Sequence, residues 1–157
     1  MLHGIPVITE RLFDLKFQIS PTSFFQGNTQ CAEILYSKAL ELGKVDSQTT
    51  VLDICCGTGT IGLIAARKAK HVIGVDITPQ AIDDANLNAK RNGILNAEFV
   101  CNKAHRTLRE IVKDDNLDNN VVAILNPGSA GVNKELIKSI RNCEKIKKVV
   151  YISCRPM

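Results

Sequence analysis

The segment Asp53-Ile54-Cys55-Cys56-Gly57-Thr58-Gly59-Thr60-Ile61-Gly62 constrains the fold of this chain more than any other. An apolar, β-branched run leads into it and a helix-forming stretch leaves it. Glycines at 57, 59 and 62 let the backbone turn sharply and let a ligand approach closely. The same alternation then repeats along the chain. Strands are expected over 50–55, 71–77, 97–102, 121–125 and 149–154, with helices over 61–69, 79–91, 108–113 and 134–142. Pro79 suits a first helical turn and Asn92-Gly93 a helix end. Strands alternating with helices imply a parallel sheet with right-handed crossovers. The wholly apolar run 121–125 implies strands covered on both faces. The expected fold class is therefore α/β, a doubly wound, mostly parallel, Rossmann-like sheet.

Residues 1–47 read differently. Residues 12–19 alternate like a piece of β structure, Ser20-Pro21-Thr22 is a turn, and 29–42 is an amphipathic helix. One domain in two parts is expected. An N-terminal β segment and helix over 1–47 flank the ligand site, and the Rossmann-like core runs over 48–157. That core reads as truncated at its C-terminal side, since doubly wound sheets usually continue beyond a fifth strand. Lysines 145, 147 and 148 and the polar stretch 113–120 are expected in surface loops.

With 157 residues, 45% of them hydrophobic, the chain can bury one core but not two. Its net charge of +4 mildly favours an anionic partner, but the charges are interleaved and select none by themselves. Six cysteines occur without a CxxC pair or a histidine at ligand spacing, which argues against zinc or another metal. Several lie in apolar runs, as reduced core cysteines do. A reducing, intracellular compartment is expected, either cytoplasm and nucleus or mitochondrion. No apolar run reaches membrane-spanning length, so no membrane partner is expected. Glu10, Arg11, Asp14 and Lys16 interrupt the stretch where a signal peptide would be apolar. The oligomeric state is left open.

The glycine turn, with an acid closing the next strand, is what a nucleoside cofactor needs. Asp76 is placed to accept hydrogen bonds from ribose hydroxyls. Asp53, just before the turn, suits S-adenosylmethionine better than NAD, because a carboxylate beside a pyrophosphate repels it. Cys154 closes the run Val149-Val150-Tyr151-Ile152-Ser153, read as a buried strand opening onto the same crevice. Arg155 beside it favours the thiolate. Cys55 lines the cofactor site by its backbone, and Cys56 fills the strand end. Asn126-Pro127-Gly128-Ser129-Ala130-Gly131 follows the fourth strand and faces the crevice. Phe24 and Phe25 read as an anchor to the core.

Taken together, FQISPTSFFQGN (17–28), DICCGTGTIGL (53–63), VIGVDITPQAIDDANLNAKRNGI (72–94) and YISCRP (151–156) resemble the RNA 5-methyluridine methyltransferase family, most closely its animal members. The resemblance covers nearly the whole chain. It implies methylation of uridine carbon 5 in RNA, tRNA foremost, with S-adenosyl-L-methionine as cofactor and a covalent cysteine adduct. By position it implies Gln26 at the cofactor and Cys55, Gly57 and Thr60 at its methionine end. It likewise places Asp76 on the ribose, Asn126 near cofactor and base, and Cys154 as nucleophile. Departures accompany it. The family's fourth strand ends Asp-Pro-Pro-Arg where this chain has Asn126-Pro127-Gly128-Ser129, and Arg155 replaces a usual Asn. The family's general-base Glu, well beyond the nucleophile strand, has no counterpart among these residues. Two alternatives stand beside this reading: a catalytically silent paralogue that binds RNA or a partner, and an NAD-binding oxidoreductase.

Overall fold

Five parallel strands lie in the order β5-β4-β3-β6-β7, so the chain steps outward from β3 first to one side and then to the other. They are β3 (Thr50–Ile54), β4 (His71–Asp76), β5 (Ala97–Cys101), β6 (Val121–Leu125) and β7 (Ile146–Tyr151). An antiparallel hairpin, β1 (Ile8–Leu12) and β2 (Leu15–Ile19), precedes them. The helices are α1 (Thr29–Gly43), α2 (Thr60–Ala66), α3 (Pro79–Arg91), α4 (Ala104–Lys113) and α5 (Lys134–Arg141). This computed structural model describes residues 7–114, 117 and 119–154. No helix among them is long and apolar enough to cross a membrane.

Side-chain alternation along β3 and β6 builds two cores. Val51, Val122 and Ile124 join the hairpin, α1, α2 and α3 on one face. Leu52, Ile54, Ala123 and Leu125 join Leu108 and Ile111 of α4 and Leu136 of α5 on the other. Every residue of β3 and β6 is buried, as the apolar run 121–125 implied. Helix α1 buries Ala32, Tyr36, Ala39, Leu40 and Gly43, a stripe at helical spacing. Asn28 caps its start by accepting the Cys31 N–H at 3.0 Å, and Lys44 in the left-handed region ends it.

The N-terminal segment is tied to α3 by a polar ladder. Asn92 accepts the Lys16 N–H at 2.9 Å and donates to the Lys16 carbonyl at 2.8 Å. Asn88 does the same for Gln18, at 2.7 and 3.0 Å, and donates to the Thr58 carbonyl at 3.2 Å. Asp84 accepts the Ser20 N–H at 3.0 Å, the Ser20 hydroxyl at 2.8 Å and the Ser23 hydroxyl at 2.9 Å. Four helical residues rise about 6 Å, and two strand residues rise about 6.6 Å. Side chains at i, i+4 and i+8 of a helix therefore match alternate residues of a strand. The ladder satisfies backbone groups along β2 that no sheet neighbour reaches.

Several expectations need correction. Residues 12–19 are not one strand: Phe13 turns with φ 54° and the chain folds back as a hairpin. Helix α4 starts four residues earlier than expected, at Ala104, and α2 ends three earlier, at Ala66. The largest change concerns the last strand. It runs over Ile146–Tyr151 at the sheet edge, with alternate residues exposed, not over 149–154 as a buried strand. Lys147 and Lys148 lie within it and Lys145 immediately before it. The Lys148 ammonium donates to the Gly43 carbonyl at 3.1 Å. Lysines on an edge strand oppose further strand pairing. Of the expected loop 113–120, residues 115, 116 and 118 lie outside the described residues.

Candidate functional site

A cleft of about 800 Å³ opens at the carboxyl ends of β3, β6 and β7, where the strand order reverses. That is where open α/β sheets bind ligands. Gln26, Cys55, Gly57, Thr60, Asp76, Asn126 and Cys154 all line it, from segments spread over nearly 130 residues of sequence.

The floor is the turn after β3. Cys55 (φ 62°), Gly57 (φ 53°) and Gly59 (φ 78°) adopt the left-handed region within five residues. For Cys55 this is a strained conformation, of the kind that clusters at functional sites. Its N–H is held by the Val75 carbonyl at 2.9 Å. A Cβ on Gly59 would meet Phe99 at 2.9 Å and Ala85 at 3.0 Å, so glycine is required there twice over. Gly57, by contrast, faces open space apart from the Phe24 carbonyl at 3.7 Å, which leaves its backbone accessible to a ligand.

Asp76 sits beside this floor and braces it. One carboxylate oxygen accepts the Gly57 N–H at 3.0 Å and the other the Thr78 N–H at 3.0 Å. A carboxylate has about four acceptor positions, so room remains for hydroxyl donors. Asp53 behaves differently. It is fully buried and not part of the cleft lining, and it accepts the Gly62 N–H at 2.7 Å. Its other oxygen has no protein partner. The repulsion argued for Asp53 against a pyrophosphate therefore loses its basis in direct contact: its carboxylate supports the turn from below.

Burial, opposed by the Gly62 N–H and aided by the Asp76 charge, pushes the Asp53 carboxyl up to about 7. A carboxyl raised above its unfolded value contributes stability that is complete below about pH 4 and lost as pH rises through about 7. We expect the unfolding free energy of Asp53→Asn to fall less than that of the unaltered chain between those limits. The difference should accumulate at up to about 1.4 kcal/mol per pH unit, read from urea unfolding across pH. Parallel pH profiles would show that Asp53 is charged throughout.

The thiols separate by environment. Burial first, then the charges of Asp76 and Asp53, pushes Cys55 up to about 11. Burial, again with Asp53 and Asp76, raises Cys56 well above the ordinary thiol range. Both therefore stay protonated and poorly nucleophilic. Cys154 is exposed on the cleft wall. It stands three residues past β7, not at its end: the Ile152 N–H still bonds the Leu125 carbonyl at 2.8 Å, and the chain then leaves the sheet. Arg155 lies outside the described residues.

The remaining walls come from α1 and the segment before it. Phe25 packs toward the core against Phe17, with ring centroids 6.0 Å apart. Phe24 is 67% exposed at the cleft, so only one of the two aromatics is an anchor. Leu35, Tyr36, Lys38 and Leu42 also line the cleft; their spacing in the sequence marks only an amphipathic helix. Burial and the Asp53 charge hold the Tyr36 phenol up at about 12. Among the described residues, no cluster of three or more His, Cys, Asp or Glu is arranged to hold a metal ion.

Comparison with known proteins gives this geometry a context. A family model described as a methyltransferase domain matches residues 45–155. The chain is 43% identical over 156 residues to a mouse protein named tRNA (uracil-5-)-methyltransferase homolog B, covering 99% of this chain and 32% of that one. It is 44% identical over 153 residues to human tRNA (uracil-5-)-methyltransferase homolog A, covering 98% and 24%. It therefore spans about a third or less of the length of these relatives. Among solved structures, the Pyrococcus abyssi tRNA (uracil-54, C5)-methyltransferase in complex with S-adenosyl-L-homocysteine superposes with a TM-score of 0.77 at 32% identity. That match covers 98% of this chain and 36% of the other. The chain belongs to the methyltransferase-domain family, and over nearly its whole length it is kin to the tRNA (uracil-5-)-methyltransferase homologs.

Proposed function

We propose that this chain is the methyltransferase portion of an RNA (uracil-5-)-methyltransferase that uses S-adenosyl-L-methionine and acts on tRNA. The observation that carries the reading is the convergence of the Cys154 thiol, an accessible glycine turn and the Asp76 carboxylate on one cleft. The residues present suit the cofactor. Asp76 has free acceptor positions for ribose hydroxyls, Gly57 leaves its backbone open, and Cys55, Thr60 and Gln26 surround the place for the methionine end. Bound there, the cofactor supplies an electrophilic methyl group.

Cys154 is the nucleophile. Carbon 5 of uracil is poorly nucleophilic on its own. Addition of the Cys154 thiolate at carbon 6 makes an enolate whose carbon 5 can accept a methyl group. The target base must leave its stack to reach the thiol. Asn126, which lines the same cleft as Cys154, donates as well as accepts, unlike the family's carboxylate at that place. Release of the thiol requires removal of the carbon-5 proton by a base. Among the described cleft residues the one carboxylate is Asp76, and it is engaged by the turn.

Calorimetric titration tests the cofactor assignment. S-adenosyl-L-methionine should bind and NAD should not. Asp76→Ala should weaken binding by about 1–3 kcal/mol, the range for a hydrogen bond to a charged group. Because Asp76 also braces Gly57, the variant's melting temperature must be followed in parallel. Unchanged affinity in a folded Asp76→Ala protein would sink the ribose role. Detection of 5-methyluridine in a tRNA transcript tests the reaction itself.

A further inference from the structure

Helix α5 carries Lys134, Lys138 and Arg141 at positions i, i+4 and i+7, within an arc of about 60° on one side of the helix. With Ile137 and Asn142 they line a surface depression of about 360 Å³, separate from the cleft. Among the described residues these three side chains make no ion pair or hydrogen bond. What sets the three apart is that they share one helix face and one depression. The single acid of α5, Glu135, forms no ion pair with the row among the described residues and approaches His105 of α4 at 3.6 Å. Leu136 is buried in the second core, which fixes the helix's rotation and turns the cationic row outward.

Helix stability does not account for this row. Lys138 and Arg141 lie near the negative end of the helix dipole, but Lys134 is the first helical residue, where a cation is unfavourable. The row spans about 10 Å along the axis, long enough to meet more than one phosphate of a nucleic-acid strand. It is also near the site. Ser129 lines the cleft, and Lys134 follows it by five residues, a reach of at most about 18 Å.

We propose that the Lys134–Lys138–Arg141 row on α5 is an accessory contact for the phosphate backbone of the RNA substrate, beside the cleft that receives the target base. The proposal rests on the RNA-methyltransferase reading. It adds a surface to that site and changes nothing in its chemistry. Phosphates suit the row because it offers regularly spaced, unpaired cations and a single exposed apolar residue, Ile137.

The test is binding of an unmodified tRNA transcript by the whole chain across a salt series. The unaltered chain is compared with the triple variant Lys134→Ala, Lys138→Ala, Arg141→Ala. Each neutralised phosphate contributes about 0.7–0.9 to the slope of log affinity against log salt. The triple variant should therefore lose about 2 from that slope and bind at least about tenfold more weakly at low salt. The charge-retaining set Lys134→Arg, Lys138→Arg, Arg141→Lys should keep both. Cofactor affinity should be the same in all three proteins and their melting temperatures close, since these side chains touch neither cleft nor core and their opposed effects on the helix dipole partly cancel. An unchanged salt slope in the triple variant overturns the proposal, as does failure of the unaltered chain to bind tRNA at low salt. Slope loss with neither uridine methylation nor a covalent RNA adduct from the unaltered chain keeps this surface and sinks the catalytic reading. Methylation with an unchanged slope does the reverse.

Discussion

Replacing Cys154 by serine is expected to eliminate covalent capture of uridine-containing RNA and to lower methyl transfer by about a thousandfold or more. The expectation follows from the division of labour in the cleft. A serine hydroxyl has nearly the same shape as the thiol, so binding of cofactor and RNA should persist. It lacks a populated anionic form near neutral pH, so addition at carbon 6 fails. A loss confined to turnover, with RNA and cofactor affinity kept, marks a group needed only in the transition state. The chain offers a second readout. Its described cleft residues hold no uncommitted base, so an adduct once formed should release slowly and accumulate. Incubation with cofactor and a tRNA fragment at low salt, followed by denaturing electrophoresis, should show a protein–RNA band that the Cys154→Ser protein lacks. Persistence of the band in that variant would assign the nucleophile elsewhere. Cys55 and Cys56 are poor candidates because burial keeps both protonated. If the unaltered chain binds cofactor and RNA yet gives neither adduct nor product, the silent-paralogue reading gains, with Asn126 the first residue to restore to aspartate.

The second large effect is expected at Asp84, far from the chemistry. Its carboxylate receives three hydrogen bonds from Ser20 and Ser23, and both Asp84 and Ser20 are buried. Asp84→Ala leaves the Ser20 N–H and hydroxyl without partners inside the protein. Each such group costs about 1–3 kcal/mol, so a total loss of roughly 3–4 kcal/mol is expected in urea unfolding. Asp84→Asn should cost less, because an amide keeps one acceptor and the serine hydroxyls can reorient to accept from its NH₂. The same substitutions should weaken cofactor binding, since Ser20 and Ser23 fix the segment that delivers Phe24, Phe25 and Gln26 to the cleft. A destabilised Asp84→Ala protein with full cofactor affinity would show that this segment is positioned by something other than the ladder.

The polar ladder also marks where sequence reading reaches its limit. Asp84, Asn88 and Asn92 recur at a strict four-residue spacing, a signal present in the chain all along. Read for hydrophobic periodicity, polar residues on α3 fall on the solvent face. They lie inward because β2 approaches α3 with its backbone unpaired on that side, and only a long-range contact supplies that demand. Asp53 departs from its expected place for a related reason. A charged residue beside a ligand turn suggests ligand contact, but β3 is the central strand and buries both faces, so its carboxylate points into protein.

What the sequence determined by itself is local and periodic. The span of α3 follows from Pro79 at its start and Asn92-Gly93 beyond its end, and the span of β6 from an apolar run with polar flanks. The glycine turn follows from the steric demands of Cβ. These features need only the chain's own backbone, so spacing reveals them. The tertiary structure decided the rest. It ended β7 at Tyr151, because pairing with β6 continues by only one further bond, from Ile152 to Leu125. It left that strand half exposed at an edge, although its residues read as buried. It also brought Gln26 and Cys154 to one cleft across nearly 130 residues of sequence. No spacing encodes that convergence: the strand order beside β3 brings Cys154 there, and the ladder between β2 and α3 brings Gln26.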